Sequence, residues 1–522
     1  MATSPEPSDG DERFELRGEL GAGSSGTVYR VLDRRRGHEV ALKVLRRLGG
    51  ADLYRFKREF RSLVGLHHPN LATLYELYAV GDEWMYTMEL VDGARFDRWV
   101  RPGGEAEAIV ADDDVGTTAL PRRRAGAGTL DVDRLRAALA QLADGLTALH
   151  AVGKIHRDLK PSNVMVDGSG RVVILDFGLV IDITQAERTH DGKAIGTVAY
   201  MSPEQAADLP LSPASDWYAV GVMLYEALAG VRPFRGAAHD VLLRKQLDAP
   251  PPPSTLAPDV PADLDDLCAR LLARDPDRRP TGAEVLAALG VAPSAASIAL
   301  TERPRLPPPP APALAALHQA LADSRDRFVT VVVTGGPGSG KSTLCEQFVE
   351  EAEARVAARA LVARNDGREQ SRFPGLDQVI DQLGTMLLAM PADAQAALAP
   401  IAQPIARVFP TLRRVPALHL PALPGASPLE PDQLLARALS AFRDVLRHLG
   451  ADRPVLLVVD GGHHITPVGA ATIAHIYDAA DLPRALFVMT QRSEPGAGRA
   501  ALVEIERWHA RGGDLRWIDL DA

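Results

Sequence analysis

The chain has little cysteine, little lysine and no long apolar run, and each shortage removes a class of protein. Its two cysteines, Cys268 and Cys345, stand far apart in unrelated contexts. Neither a disulfide framework nor a zinc cluster can be built from them, and a reducing cytoplasm fits. No apolar run nears the ~20 residues that span a bilayer. The opening MATSPEPSDGDE is polar and acidic, unlike a secretory leader, so no membrane role is expected. A net charge of −10 leaves no basic footprint and argues against nucleic acid as a partner. Of 58 basic side chains only seven are lysines: Lys43, Lys57, Lys154, Lys160, Lys193, Lys245 and Lys341. Arginine carries most of the positive charge, so a lysine at a motif position carries more weight than usual.

What is present is enough for more than one domain. At 522 residues the chain exceeds a single core, and 46% hydrophobic with 24% charged residues is an ordinary soluble composition. Residues 1–13 read as a disordered tail and 14–289 as a first domain of strand-like and then helix-like patterns. Inside it, 101–129 lack periodicity and far exceed a normal connection, so they read as a disordered surface insertion. Residues 290–312, rich in Pro, Ala and Ser, read as a semi-rigid extended linker. From 313 to 522 apolar strands alternate with helices, the pattern of an α/β domain with a parallel sheet.

In the first domain, LGAGSSGTVYR begins at Leu20. Gly21, Gly23 and Gly26, followed by Val28, suit a glycine-rich hairpin lying over a nucleotide. That segment comprises Leu20, Gly21, Ala22, Gly23, Ser24, Ser25, Gly26, Thr27 and Val28. VALK follows, with Lys43 in a β-branched strand. Glu59 lies on the apolar stripe of a helix with Phe56, Leu63 and Leu66, where a carboxylate is costly unless paired. Lys43 is the natural partner. Next, leucines 135, 139, 142, 146 and 149 form one helical stripe that ends near Gly153. The following loop, KIHRDLKPSNVMV, offers Asp158 to accept a hydroxyl proton, Lys160 to neutralise a phosphoryl group and Asn163 to bind a metal. Asp176 then leaves a strand as a hard oxygen donor suited to Mg²⁺.

The order G-x-G-x-x-G-x-V, V-A-x-K, H-R-D-x-K-x-x-N, D-F-G and S-P-E resembles eukaryotic-type protein kinases over residues 14–289. That resemblance implies a bilobal α+β fold, ATP and Mg²⁺ as cofactors, and roles for particular residues. Lys43 and Glu59 would form the ATP-orienting pair. Asp158 would be the catalytic base, Lys160 the phosphate-contacting lysine, and Asn163 and Asp176 the magnesium ligands. Glu89 and Val91 would form the adenine-binding hinge after the gatekeeper Met88, with Val28, Ala41 and Met165 enclosing the ring. Glu204 and Arg279 would form a structural ion pair, and Asp216 would brace the catalytic loop. Lys160 and Thr197 resemble the serine/threonine class. Arg157 beside Asp158 asks for an anion, which phosphorylation of Thr184 or Thr189 would supply.

The stretch TGGPGSGKST, residues 334–343, raises a second nucleotide site. Gly335, Gly340, Lys341 and Ser342 fit G-x-x-x-x-G-K-[ST] between a strand and a helix, with Thr343 next in line. Lys341 would reach phosphate oxygens and Ser342 would ligate Mg²⁺. A second apolar strand ends in Asp460, a Walker B carboxylate for the metal, and a further strand ends at Arg492. The order resembles AAA-like ATPase modules that follow bacterial serine/threonine kinases. An acid commonly follows the Walker B aspartate there, but here Gly461 and Gly462 follow, so nucleotide binding is better supported than hydrolysis. The adjacent His463 and His464 read as plain surface residues. The chain stops about thirty residues past Arg492, which reads as either a truncation or an unusually early end.

The leading reading is a cytoplasmic serine/threonine kinase with an appended nucleotide-binding regulatory module, acting on unknown protein substrates and on itself. One rival is a nucleotide-switched scaffold whose kinase lobe mainly binds partners. The other is an ATPase that the kinase domain regulates.

Overall fold

A computed structural model describes residues 13–23, 26–46, 48–81, 83–103, 128–176, 198–301, 308–370, 373, 375–418, 430–478, 482–494 and 497–521. The expected tail, the body of the 101–129 insertion, Ser24, Ser25, Thr184, Thr189 and Thr197 lie outside them. The first elements are β1 (Phe14–Gly23), β2 (Gly26–Asp33), β3 (His38–Leu45), α1 (Gly50–Leu63), β4 (Leu74–Val80), β5 (Glu83–Met88), β6 (Gly93–Arg95), α2 (Val132–Ala151), β7 (Val164–Asp167), β8 (Val172–Ile174), α3 (Pro213–Ala229) and α4 (Ala238–Leu247). Then come β9 (Phe328–Gly335), α5 (Lys341–Val356), β10 (Arg359–Arg364), β11 (Glu369–Gln370), α6 (Leu376–Leu388), β12 (Val455–Asp460), β13 (Ala485–Arg492) and β14 (Asp514–Asp519). The chain divides into two compact units: Met1–Leu42, Arg58–Leu74 and Met88–Pro304 form one, and Lys43–Lys57, Tyr75–Thr87 and Arg305–Ala522 form the other.

In the first unit β1 pairs antiparallel with β2, from Phe14 opposite Asp33 to Gly23 opposite Gly26, with register shifts near Gly18 and Gly21. A small sheet β6-β7-β8 follows. Helix α2 starts at Asp131, whose side chain accepts from the Arg134 N–H. Its stripe Leu135, Leu139, Leu142, Leu146 and Leu149 is fully buried, as the periodicity requires. Helix α3 is buried on nearly every side, Trp217, Tyr218 and Tyr225 included, so it forms the centre of this unit. The two ends of the 101–129 stretch meet: Arg101 donates to the Gly128 carbonyl at 3.0 Å and Asp131 N–H to the Val100 carbonyl at 3.0 Å. The stretch expected to be an extended linker instead begins with a helix, Ala295–Thr301. Ser297 there is buried and donates to the Asp144 carboxylate at 2.8 Å, because Asp144 and the buried His68 need polar partners.

In the second unit five parallel strands lie in the order β10-β12-β13-β9-β14. Alternate residues feed two apolar cores. Val331, Val333, Leu456 and Val458 pack with Leu344, Cys345 and Phe348 of α5, while Val332, Leu457, Val459 and Met489 join the other core. Burial on both faces explains why these strands read as continuous apolar runs. The same unit contains the end of β3, the first half of α1, and β4 with β5. β4 pairs in parallel with β11, Leu77 opposite Glu369 and Tyr78 opposite Gln370.

Candidate nucleotide and phosphoryl-transfer sites

The loop after α2 is built from below. Asp216, 1% exposed on α3, accepts the His156 N–H at 2.7 Å, the Arg157 N–H at 2.9 Å and a 2.8 Å contact from His150 Nε2. These bonds hold Arg157 at φ +69°, a left-handed conformation that costs energy unless the surroundings impose it. The next residue is thereby fixed. Asp158 Oδ2 accepts from Lys160 Nζ at 2.7 Å and from Asn163 Nδ2 at 3.2 Å, and the Asp158 carbonyl accepts from the same amide at 2.8 Å. The Asn163 carbonyl accepts the Leu175 N–H at 2.8 Å, which ties down the residue preceding Asp176. Asp176 itself sits at φ +54°. The structure therefore gathers Asp158, Lys160 and Asn163 on one short loop, with the segment that carries Asp176 bonded to it.

Glu59 takes a partner that the sequence did not suggest. Its carboxylate accepts from Lys154 at 2.8 Å and meets Arg58 at 3.4 Å. Lys43 is 5% exposed on β3. At the hinge the Glu89 N–H donates to the Thr73 carbonyl at 2.8 Å, and its carboxylate is held by Arg171 at 2.7 Å. Met88 and Ala41 are buried, Val28, Val91 and Met165 are half-buried, and Leu20 is exposed. Gly21, Ala22 and Gly23 are exposed, whereas Gly26 and Thr27 are buried.

Two further anchors shape this unit. Arg279 grips Glu204 with bonds of 2.7 and 2.9 Å, and Ser215 adds a third at 2.7 Å. Burial pushes this carboxyl up, but the Arg279 and Ser215 bonds outweigh it and leave it below the ordinary range. Lys245 on α4 is 1% exposed and donates to the carbonyls of Val198, Ala199 and Met201 at 2.9, 2.7 and 2.6 Å. Burial lowers its ammonium to about 7. The rarity of lysine was the signal available for Lys154 and Lys245, but neither lies in a recognisable spacing.

In the second unit β9 ends at Gly335 and α5 begins at Lys341, after Gly340 at φ +90°. Lys341 Nζ turns back onto its own loop, donating to Gly335 O at 2.8 Å, Gly336 O at 2.6 Å and Ser339 Oγ at 3.2 Å. Burial lowers the Lys341 pKa. Asp521 accepts the Gly336 N–H at 2.8 Å. Ser342 is exposed and Thr343 half-buried. Asp460, at the end of β12, accepts from Thr490 Oγ1 at 2.6 Å, and the same hydroxyl accepts the Gly461 N–H at 2.8 Å. The missing acid after Asp460 has a steric reason. Gly461 sits at φ +95°, and any Cβ there would collide with the Asn365 carbonyl oxygen. The two histidines are not plain surface residues. They are half-buried, their rings lie 4.1 Å apart, and both His463 ring nitrogens are buried without a hydrogen bond. Burial, with His464 beside it, pushes the His463 pKa down to about 4. Among the described residues no group of three or more His, Cys, Asp or Glu is placed to hold a metal ion.

A braced Asp–Lys–Asn loop in one unit and a strand–loop–helix nucleotide fold in the other mark a phosphotransferase-like protein fused to a P-loop domain. Comparison with known families makes the assignment specific. Residues 14–289 match the protein kinase domain and 311–489 match an AAA ATPase domain. The chain belongs to the protein kinase family. It is 33% identical over 324 residues to the serine/threonine-protein kinase PknL of Mycobacterium tuberculosis, covering 61% of this chain and 73% of that protein. It is also 33% identical over 275 residues to PknA of the same organism, covering 51% of this chain and 58% of that protein. A solved structure of the Mycobacterium tuberculosis PknI kinase domain aligns with 53% of this chain and 95% of its own at 24% identity, with a TM-score of 0.40. Among the described residues no helix is long and apolar enough to cross a membrane.

Proposed function

We propose that this chain is a serine/threonine protein kinase that transfers the γ-phosphoryl group of ATP to Ser or Thr hydroxyls of proteins, itself included. Its P-loop module binds nucleotide and regulates. The observation that carries the reading is Asp158, held by Lys160 and Asn163 on a loop that buried Asp216 braces. The bound Mg²⁺ would neutralise phosphate charge, and the oxygens of Asn163 and Asp176 are donors of the right hardness to hold it. Asp158 orients the acceptor hydroxyl and takes its proton, while Lys160 sets the direction of that carboxylate and meets the charge on the phosphoryl oxygens. The glycine hairpin suits a ligand for a physical reason: a Cβ at Gly21 would meet nothing within 4 Å, so the hairpin itself does not require glycine there. Close approach of backbone to a nucleotide does. In the transferring state Glu59 pairs with Lys43 to orient the phosphates.

The second module fits nucleotide binding through Lys341, Ser342, Thr343 and Asp460. With no room for an acid at Gly461, turnover there is slow. Phosphate transfer from radiolabelled ATP, measured for the wild type, Lys43→Met and Lys341→Ala, tests the reading. Loss of transfer in Lys43→Met with retention in Lys341→Ala supports a kinase. The reverse pattern supports an ATPase that the kinase domain regulates, and transfer in neither protein supports a scaffold.

A further inference from the structure

We infer that Lys245 on α4 is a positioning residue for the protein acceptor: its buried ammonium sets the backbone of residues 198–201 beside Asp158. The inference rests on the kinase reading above. Lys245 is 1% exposed, and its Nζ donates to three carbonyls of one short stretch, Val198 at 2.9 Å, Ala199 at 2.7 Å and Met201 at 2.6 Å. Three donors meet three acceptors, so the ammonium is saturated. No carboxylate among the described residues pairs with it, and the charge that acts on it is that of Arg232, which repels it. A buried cation is tolerated only where its donors are met. The three carbonyls are therefore what keeps this charge inside, and the charge is what turns three carbonyls of one stretch towards a single point.

The stretch held in this way adjoins the Asp158 loop. Tyr200 and Met201 line one crevice together with Arg157, Asp158 and Asp216. A protein chain that delivers a hydroxyl to Asp158 therefore meets Tyr200 and Met201 as neighbours. Further bonds join α4 to that loop. Gln246, next to Lys245, donates to the Pro203 carbonyl at 2.6 Å. Pro203 opens the short helix Pro203–Ala206, and Gln205 within it donates to the Arg157 carbonyl at 2.7 Å. The Tyr200 hydroxyl is bonded to Glu226 of α3, while Val198 and Met201 pack with Phe234 and Val241.

This network runs from α4 to the acceptor side of Asp158, so its loss falls on acceptor binding and not on ATP. It also carries a dependence on pH. Burial, with Arg232 beside it, brings the Lys245 ammonium down to about 7. The groups around it do not titrate there. The Tyr218 ring of α3 lies 5.5 Å from Nζ, and burial pushes the Tyr218 and Tyr200 hydroxyls above their ordinary value. Arg232 is paired with Glu226 at 3.5 Å, and on α4 itself Arg244 is paired with Asp248 at 3.3 Å. Below that pH the charge holds the three carbonyls, and above it the neutral amine holds them less firmly.

The test measures steady-state transfer from ATP to dephosphorylated casein by the full chain and by Lys245→Met, with Asp158→Asn as the zero. Methionine keeps an unbranched stem and removes the charge and the donors. At about pH 6 the acceptor KM should rise about tenfold, while the ATP KM and kcat change by less than about twofold. As pH rises from about 6 to about 8.5, the ratio of the variant's acceptor KM to that of the wild type should shrink about threefold, because the wild type loses a proton that the variant never had. A side chain that only filled space would keep this ratio constant. Gln246→Ala serves if Lys245→Met does not fold, and should raise the acceptor KM about threefold with the ATP KM unchanged. An unchanged acceptor KM, a ratio that stays constant with pH, or an ATP KM that rises as much as the acceptor KM overturns the positioning role and leaves the kinase reading standing. Absence of any Asp158-dependent transfer in the wild type overturns the kinase reading and this role with it.

Discussion

Lys160 and Lys341 both sit in loops proposed to meet phosphate, yet they hold different things. Lys160 donates to a carboxylate on a neighbouring residue, and that carboxylate is aimed by Asn163 and by a loop that buried Asp216 fixes. Lys341 donates to the carbonyls of its own loop. The first arrangement is preorganised: its geometry comes from groups already in place and needs no ligand. The second is turned onto its own loop, and on the proposed reading a phosphate would have to replace those bonds. Chemistry suits the first loop, and a nucleotide-dependent change of shape suits the second.

The sharpest way to break this comparison is to remove the proposed proton acceptor. Asp158→Asn should lower phosphate transfer by about 10²–10⁴-fold while ATP binding at the hairpin, followed by calorimetry, is retained. Transfer near the wild-type rate would place the chemistry elsewhere. Next comes the anchor of the first unit. Arg279→Ala leaves Glu204 buried without its partner and should cost about 3–5 kcal/mol in urea unfolding. The folded pKa of Glu204 lies below its ordinary value, so the stability this group contributes is present above that value and is lost as pH falls through the folded one. Acid should therefore erase part of the difference between wild type and variant.

Smaller effects are expected at the P-loop. In a Lys43→Met background, Lys341→Ala should abolish the remaining binding of a fluorescent ATP analogue. With Lys43 intact, Lys341→Ala should shift transfer by no more than a coupling free energy of about 1–3 kcal/mol. Vigorous ATP turnover in Lys43→Met that Lys341→Ala removes would reverse the ranking of the two sites. The smallest effect concerns His463, whose folded pKa of about 4 lies below the ordinary 6.5. Between those values the unfolded chain binds the extra proton, so stability falls as pH drops from 6.5 towards 4. His463→Asn should lose less over that window in thermal melts, and an identical loss would show that this ring does not titrate there.

Much of the Asp158–Asn163 loop was legible because its bonds are local. Asp158, Lys160 and Asn163 lie within six residues, and the bonds between them follow from that spacing. The Leu135–Leu149 stripe was legible for the same reason, a period of one helix. Glu59 was recognisable as a carboxylate that needed a cation, but the choice of Lys154 depends on how a helix and a distant loop are oriented, which no spacing encodes. Thr490 as the holder of Asp460, and Asp381 as a partner of Lys57, arise only when the chain is folded. Gly461 was visible as a departure from the expected acid, but the reason, the Asn365 carbonyl pressed against it, belongs to the fold.

The pairing of β11 with β4 has a consequence for anyone who divides this chain. β4 has β5 on one side and β11 on the other, so β11 is what closes the end of that sheet. A fragment cut at residue 289 keeps β4 but loses β11, and the Leu77 and Tyr78 backbone then offers open hydrogen-bonding groups to any other chain. Such a fragment carries every kinase motif and is nevertheless expected to self-associate edge to edge, through a surface that the full 522-residue chain keeps closed with the two residues of β11.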